Sequence, residues 1–483
     1  MNSASAELGE FGLLIEGDWR RTGQVQEVRS PYDDQLVALA HLAGPGEMEA
    51  AIAGAVRGFA VTRRLPAWRR AEVLAKVSAG LRERREEFAR TIALEAGKPL
   101  RTARLEVDRA IFTFQVASEE TKRIYGEIVP LDWLPGLEGR SAQVHRVPLG
   151  PIAGITPFNF PLNLVAHKVA PALAAGNAII IRPAPQTPMS ALKLGELVLE
   201  AGWPAAGLAV VPSTPAEAAP LVEDERLRML TFTGSPGVGW SLKARAGRKR
   251  VTLELGGNAG VIIHHDVDLA YAAERVAWGG FSYAGQSCIS VQRVYLHAAI
   301  EAAFREQFLP RVQALKAGDP LDEATDIGPL INLAAAERLE AWVQAARATG
   351  AQVLTGGERS GRLWQPTVLA NVQPDMAVAC REVFAPLLGL FNYTDASAAI
   401  RAVDDSEFGL QAGLFTNDWN LIQEAFDGLE VGGLMINDVP TFRVDHMPYG
   451  GVKQSGEGRE GVRYAIEEMT TLKLLAFNPR PRS

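Results

Sequence analysis

Cys288 stands in the run Gly285-Gln286-Ser287-Cys288-Ile289-Ser290 and is one of two cysteines among 483 residues. Glycine and small polar neighbours suit a thiol on a tight, accessible loop better than a core filler. Glu254 lies upstream in Leu253-Glu254-Leu255-Gly256-Gly257-Asn258, within the apolar run from Val251 to Leu255. Burying an unpaired carboxylate is costly, so a chain rarely places one there without a use. Further upstream, Phe158-Asn159-Phe160-Pro161 carries an amide donor. Each residue has a bland reading: a lone cysteine is usually inert packing, and an asparagine beside proline is ordinary turn chemistry. A thiol, a carboxylate and an amide together point to covalent catalysis on a carbonyl.

The fold must bring these groups together. After a strand-like entry from Leu13 to Trp19, the first third reads as helix. Glu47 to Arg63 places Ala51, Ala55 and Phe59 on one face. A second helix has Pro66 in its first turn and runs to about Ala96, where Gly97-Lys98-Pro99 is a stop signal. A third covers Arg101 to about Tyr125. Short apolar runs then alternate with helical segments: Gly150 to Thr156, Ala178 to Arg182, Leu208 to Pro212, Met229 to Thr233 and Val251 to Leu255. This alternation implies a parallel, doubly wound α/β sheet, which binds ligands beyond the carboxyl ends of its strands.

A second alternating set begins near Val261. It has helices over Asp266 to Ala284, Ala299 to Leu315 and Ala334 to Thr349, and strands at Val291 to His297, Gln352 to Thr355, Thr367 to Leu369 and Leu387 to Tyr393. Ile128 to Trp133, Ser141 to Val147 and Leu472 to Phe477 read as extended strands outside both units. Their open edges call for a cover, from this chain or a second copy.

The chain is too long for one core and is expected to form two or three domains. Its hydrophobic fraction of 47% and charged fraction of 22% are those of a globular protein. A net charge of −7 without a sustained basic run argues against nucleic-acid binding. Two cysteines cannot build a disulfide framework. Met1 to Arg20, with acids at Glu7, Glu10 and Glu16, lacks the pattern of a signal peptide. The longest apolar stretch, Val169 to Ile181, is broken by Pro171, Gly176 and Asn177 and is too short to span a bilayer. The expectation is a cytoplasmic protein with no membrane partner.

Two segments suggest a cofactor. Met229 to Thr233 ends in Gly234-Ser235-Pro236-Gly237-Val238-Gly239 before a helical pattern. Glycines at such a turn let backbone N–H groups approach a pyrophosphate. Ile181-Arg182-Pro183-Ala184-Pro185-Gln186-Thr187 is a second strand end, specific only in combination.

In order along the chain, these motifs resemble the aldehyde dehydrogenase superfamily. The resemblance runs from Leu14-Ile15-Glu16-Gly17-Asp18-Trp19 through Thr156-Pro157-Phe158-Asn159-Phe160-Pro161, the Arg182 segment and Thr231-Phe232-Thr233-Gly234-Ser235. It continues through the Glu254 and Cys288 runs, Glu382-Val383-Phe384-Ala385-Pro386 and Pro448-Tyr449-Gly450-Gly451-Val452-Lys453. It implies a Rossmann-type cofactor domain (1–120 and 148–254), an α/β catalytic domain (255–462) and a small oligomerisation sheet (121–147 and 463–483), assembled as a homodimer or homotetramer. Cys288 matches the nucleophile, Glu254 the general base and Asn159 the amide that polarises the carbonyl. Lys168 and Glu460 match the proton path near that base. Thr156, Pro157, Phe158 and Leu255 fall on the cofactor side. Arg182 and Pro185 match the adenine-ribose end, Gly234, Ser235 and Gly239 the pyrophosphate turn, Glu382 the nicotinamide ribose, and Phe384 its neighbour. No metal is implied.

The chain departs from the family pattern in places. Many members have lysine at Arg182, and many NAD-preferring ones have glutamate at Pro185, where a carboxylate binds the ribose hydroxyls and repels a 2′-phosphate. Arg182 with Pro185 therefore implies acceptance of NADP alongside NAD. Ala385 replaces a usual glycine. The implied chemistry is attack by the Cys288 thiolate on an aldehyde, favoured by a loop rich in N–H groups. Asn159 and the Cys288 N–H stabilise the oxyanion. Hydride transfer to NAD(P) follows, and Glu254 activates the water that frees the acid.

The nearest branch resembles lactaldehyde dehydrogenases, through Thr441 to Pro448 and Asp108-Arg109-Ala110, with lactaldehyde-like aldehydes or semialdehydes as substrates. Arg109, Phe160, Ser287 and Arg443 are the candidate substrate contacts. The bland reading makes Arg109 a salt-bridged helix residue and Arg443 an anchor to Asp445. Ser287, where sulfonate-handling relatives often carry arginine, weighs against a strongly anionic substrate. Two rivals stand beside hydrolysis: transfer of the thioester to coenzyme A, and a non-catalytic protein on the same fold.

Overall fold

The computed structural model describes residues 9–479. The first part of the N-terminal segment read above, up to residue 8, lies outside the described residues, as do residues 480–483 of the expected oligomerisation segment. Five strands of one sheet run parallel, in the spatial order Arg250–Glu254, Met229–Thr233, Ile152–Ile155, Ile179–Arg182, Leu208–Val210. Their branched apolar runs are what strands covered on both faces require. Gly456–Glu457 closes one edge antiparallel, and the hairpin Leu13–Ile15 with Asp18–Arg20 closes the other.

The parallel set begins at Ile152–Ile155 and winds outward through Ile179–Arg182 and Leu208–Val210. It then returns to wind the other way through Met229–Thr233. The reversal leaves a crevice at the carboxyl ends of Ile152–Ile155 and Met229–Thr233. Helix Asn163–Ala175, buried along its whole length, starts beside this crevice and stops at Gly176, whose φ of +85° makes the left-handed cap. Pro171 is accommodated inside this helix.

A second sheet has the order Gln352–Thr355, Thr367–Ala370, Leu387–Tyr393, Val291–His297, Ala259–Ile263, Gln411–Phe415, Gly433–Ile436. Only its first pair is antiparallel. Thr470–Phe477, Ser141–Pro148 and Glu127–Pro130 form a separate antiparallel sheet, as their extended character predicts. Gly9–Phe11, Leu36–His41 and Val25–Arg29 make a further small sheet that the sequence reading passed over.

Two other features differ from the sequence reading. The helix expected from Pro66 to Ala96 is two helices, Ala67–Glu83 and Arg85–Ala96. The break is at Arg84, whose guanidinium is engaged by Glu87 and Glu196. The chain also leaves the second unit before residue 462. Gly456–Glu457 joins the first sheet, and Val462, Ile466 and Met469 pack in the first core because their apolar partners are there. Among the described residues, no helix is long and apolar enough to cross a membrane.

Candidate active site

A cavity of about 580 Å³ opens beside the crevice of the first sheet and against loops of the second. Cys288, Glu254, Asn159 and Glu460 line it. The four candidate substrate contacts, Arg109, Phe160, Ser287 and Arg443, also line it. So do seven candidate cofactor residues: Pro157, Phe158, Gly234, Ser235, Leu255, Glu382 and Phe384. Lys168 is buried one layer behind, with Nζ 3.3 Å from Glu460 Oε1 and 2.8 Å from Thr233 Oγ1. Thr156, Arg182, Pro185 and Gly239 are not in its wall. They follow the same crevice outward, at the ends of Ile152–Ile155 and Ile179–Arg182 and inside helix Pro236–Arg245.

The loop that leads to Cys288 is held under strain. Tyr283, Ala284 and Gly285 have successive φ values of +50°, +52° and +67°. The first two carry side chains, a costly arrangement that persists only where surroundings over-determine it. The Tyr283 hydroxyl donates to the Ala96 carbonyl at 2.9 Å, and a Cβ on Gly285 would lie 2.2 Å from the Ala385 oxygen. Beyond the turn, Gln286 accepts from the Ile331 N–H at 3.0 Å. The Glu254 strand end presses on the loop from the other side. A Cβ at Gly257 would come within 2.1 Å of the Cys288 carbonyl, so the double glycine after Glu254 permits this approach.

Asn159 Nδ2 donates to the Gln286 carbonyl at 3.0 Å, which aims the amide at the same loop. Its neighbour Phe160 rests on the buried Lys98, whose ammonium is 3.7 Å from the ring centroid and ion-paired to Glu106. Glu106 also accepts from the N–H groups of Leu162 and Asn163, and so caps the helix that carries His167 and Lys168.

Two buried carboxylates divide the ionisation between them. Glu254 has no hydrogen-bond partner on either oxygen among the described residues. Burial, and then the charge of Glu460, hold its pKa well above the usual carboxylate range. Glu460 stays ionised, because Lys168 and Arg443 outweigh the opposing effect of burial. Burial likewise pushes Glu382 up to about 7, although the Gly257 N–H donates to it at 2.9 Å.

Burial pushes the Cys288 thiol up to about 12. Asp445 belongs to Arg109, which grips it through Nε and Nη2 at 3.1 and 2.7 Å, and to His167 at 2.8 Å. Arg109 is thus salt-bridged while still lining the cavity, and Arg443 pairs with Glu460 rather than Asp445.

Sequence reasoning quoted Tyr449 within a motif and gave it no role; its hydroxyl is 3.0 Å from Cys288 Sγ. The buried Lys98–Glu106 pair also escaped notice. The interrupted helix pattern at Gly97-Lys98-Pro99 was its only signal.

Residues 19–475 match the model of the aldehyde dehydrogenase family. The chain belongs to this family. It is 46% identical to a 3-sulfolactaldehyde dehydrogenase of Priestia aryabhattai, over 98% of this chain and 99% of that one. Its backbone is similar to the crystal structure of aldehyde dehydrogenase 21 from Physcomitrella patens in complex with the reaction product succinate (TM-score 0.96, 41% identity, 97% of this chain and 98% of that chain). It is also similar to a glyceraldehyde-3-phosphate dehydrogenase from Methanocaldococcus jannaschii complexed with NADP (TM-score 0.91, 36% identity, 94% of this chain and all of that chain). The enzyme is an NAD(P)-dependent aldehyde dehydrogenase.

The dehydrogenase's own residues fit that cofactor. The crevice at the sheet reversal is flanked by the buried Thr156 hydroxyl, which has no partner among the described residues. Ser235 stands at the start of helix Pro236–Arg245 without making a side-chain cap, so its hydroxyl and the helix amides suit a diphosphate. Phe158 and Phe384 meet edge to face, 5.9 Å apart, near the carboxylate of Glu382. Arg182 bonds the Ser213 carbonyl through Nε and Nη2.

Proposed function

We propose that this dehydrogenase oxidises a small aldehyde carrying an anionic group at its far end, hydrolyses the thioester to the free acid, and prefers NADP to NAD. The observation that carries this reading is the meeting of Cys288, Glu254 and Asn159 in one cavity whose wall also holds Arg109 and Arg443. The eight-stranded sheet is the cofactor unit and the seven-stranded sheet the nucleophile unit.

Cys288 attacks the aldehyde carbon once its proton has left. Asn159 keeps one N–H for the oxyanion while the other holds the Gln286 carbonyl. A nicotinamide held beside Phe158, Glu382 and Phe384 would supply the hydride acceptor. Glu254 in its ionised form takes a proton from water, which attacks the thioester and releases the acid. Glu460, fixed by Lys168 and Arg443, keeps a negative charge beside Glu254 that raises its basicity. Arg182 keeps the positive charge, and Pro185 removes the carboxylate, that would decide against a 2′-phosphate.

The relatives' names also support the anionic tail: sulfolactaldehyde, succinate and glyceraldehyde 3-phosphate each carry a second, charged end. Arg109 uses Nε and Nη2 on Asp445, which leaves Nη1 for a substrate anion. A charge-assisted contact of this kind implies a kcat/KM at least about tenfold higher for succinic semialdehyde or sulfolactaldehyde than for lactaldehyde or benzaldehyde. The panel is run with both cofactors. Equal rates for charged and neutral aldehydes would sink the anionic tail, and a strong NAD preference would sink the cofactor assignment.

The strand Thr470–Phe477 is the edge of its sheet, and Leu472, Leu474, Leu475 and Phe477 are exposed on its two faces. An apolar edge of this length needs a partner. The enzyme is therefore a homo-oligomer that uses this sheet. Light scattering after size-exclusion chromatography is expected to give a dimer or tetramer that Leu474→Arg dissociates; a monomeric parent enzyme would refute the assignment.

A further inference from the structure

The Tyr449 hydroxyl is the hydrogen-bond partner of the Cys288 sulfur, at 3.0 Å. Tyr449 is buried, and the Arg443 guanidinium lies 3.6 Å from its ring centroid. Arg443 is fixed in turn by Glu460 Oε2 at 3.0 Å. Tyr449 and Glu460 also exchange both backbone hydrogen bonds, 3.0 Å in one direction and 2.7 Å in the other. Phenol, guanidinium and carboxylate thus form one braced unit that ends on the sulfur.

We propose that Tyr449 is a further catalytic residue, whose hydroxyl donates to the Cys288 sulfur as it ionises and whose donor strength is raised by the Arg443 cation stacked on its ring. The proposal rests on Cys288 being the nucleophile. A thiol is a weak acceptor and a thiolate a strong one, and hydrogen bonds to ionised acceptors are roughly twice as strong as neutral ones. The contact therefore favours the ionised sulfur over the neutral one. The thiol proton leaves to solvent, and the phenol keeps its own. Burial holds the phenol of Tyr449 well above its usual pKa, so it remains a donor. A cation over an aromatic face is attracted to the ring and favours negative charge at its rim. The same bond fixes the direction in which the sulfur faces the cavity.

The test is the pH dependence of iodoacetamide alkylation of the free enzyme, with Tyr449→Phe compared with its parent. Both carry Cys380→Ser, so that Cys288 is the only thiol; Cys380 is exposed and absent from the cavity wall. Tyr449→Phe keeps the ring beneath Arg443 and removes one oxygen. Its alkylation at neutral pH is expected to fall about tenfold, with the profile displaced to higher pH by about one unit. kcat/KM for the aldehyde falls by a comparable factor, while NADP binding and the thermal midpoint are retained. An unchanged or acid-shifted profile overturns the role of Tyr449. Oxidation that survives Cys288→Ala overturns the nucleophile itself; loss of oxidation in Cys288→Ala beside an unchanged Tyr449→Phe profile condemns the tyrosine alone.

Discussion

Cys288→Ala lowers aldehyde oxidation by about 10⁴-fold or more, the scale seen when a covalent nucleophile is removed. No neighbour can replace the sulfur. Ser287 shares the cavity, but among the described residues its hydroxyl has no base within hydrogen-bonding distance. The other cysteine, Cys380, is exposed and bonded to the Asp375 carbonyl at 3.6 Å. The alanine fits where the thiol was, so cofactor binding measured by fluorescence quenching remains as the control for an intact site. The measurement is the steady-state rate of cofactor reduction, joined to intact mass after aldehyde is mixed in. The parent carries an acyl adduct, and the variant carries none. Turnover within tenfold of the parent would refute a covalent mechanism.

Glu254→Gln separates the two halves of the reaction. Glutamine keeps the size of the side chain and cannot accept a proton from water. Loss of a general base costs about 10²–10⁴-fold, and here the loss falls on thioester hydrolysis. Rapid mixing is expected to show a burst of reduced cofactor of nearly one equivalent per site, followed by a slow steady state.

The pH profile carries the same assignment. Burial and the charge of Glu460 raise the pKa of Glu254, and it serves as a base only when ionised. Deacylation by the parent enzyme therefore rises as pH increases through the elevated pKa, and the glutamine variant lacks this limb. A variant with parental turnover, or with no burst, removes Glu254 from deacylation. Acyl-CoA as the product in the presence of coenzyme A would instead favour the transfer route.

That Cys288, Glu254 and Asn159 meet in one cavity was legible because each sits in a local sequence with a mechanical meaning. Glycine after Glu254 permits the close approach to the Cys288 loop, and Gly285 closes the left-handed turn before it. The parallel strands were legible for a similar reason: runs such as Ile179–Arg182 are apolar on both faces.

The illegible parts depend on distance or on competition. Tyr449 and Cys288 are 161 residues apart, and their contact depends on a backbone bridge to Glu460 that no periodicity announces. Arg443 and Asp445 are neighbours in sequence, and this suggested a pair. The loop instead turns Asp445 to Arg109 and His167, and Arg443 to Glu460. The break at Arg84 has neither glycine nor proline to mark it.

The return of residues 456–469 to the first sheet and core governs how the enzyme can be born. The growing polypeptide emerges amino end first, so the five parallel strands, complete at Glu254, are made well before the edge strand Gly456–Glu457 and the apolar side chains of helix Val462–Glu468. The early sheet waits, unfinished, while the whole of the second sheet is made. Its crevice acquires Glu460 only after the second sheet has been made, and a chain stopped before Gly456 lacks both the edge strand and that carboxylate.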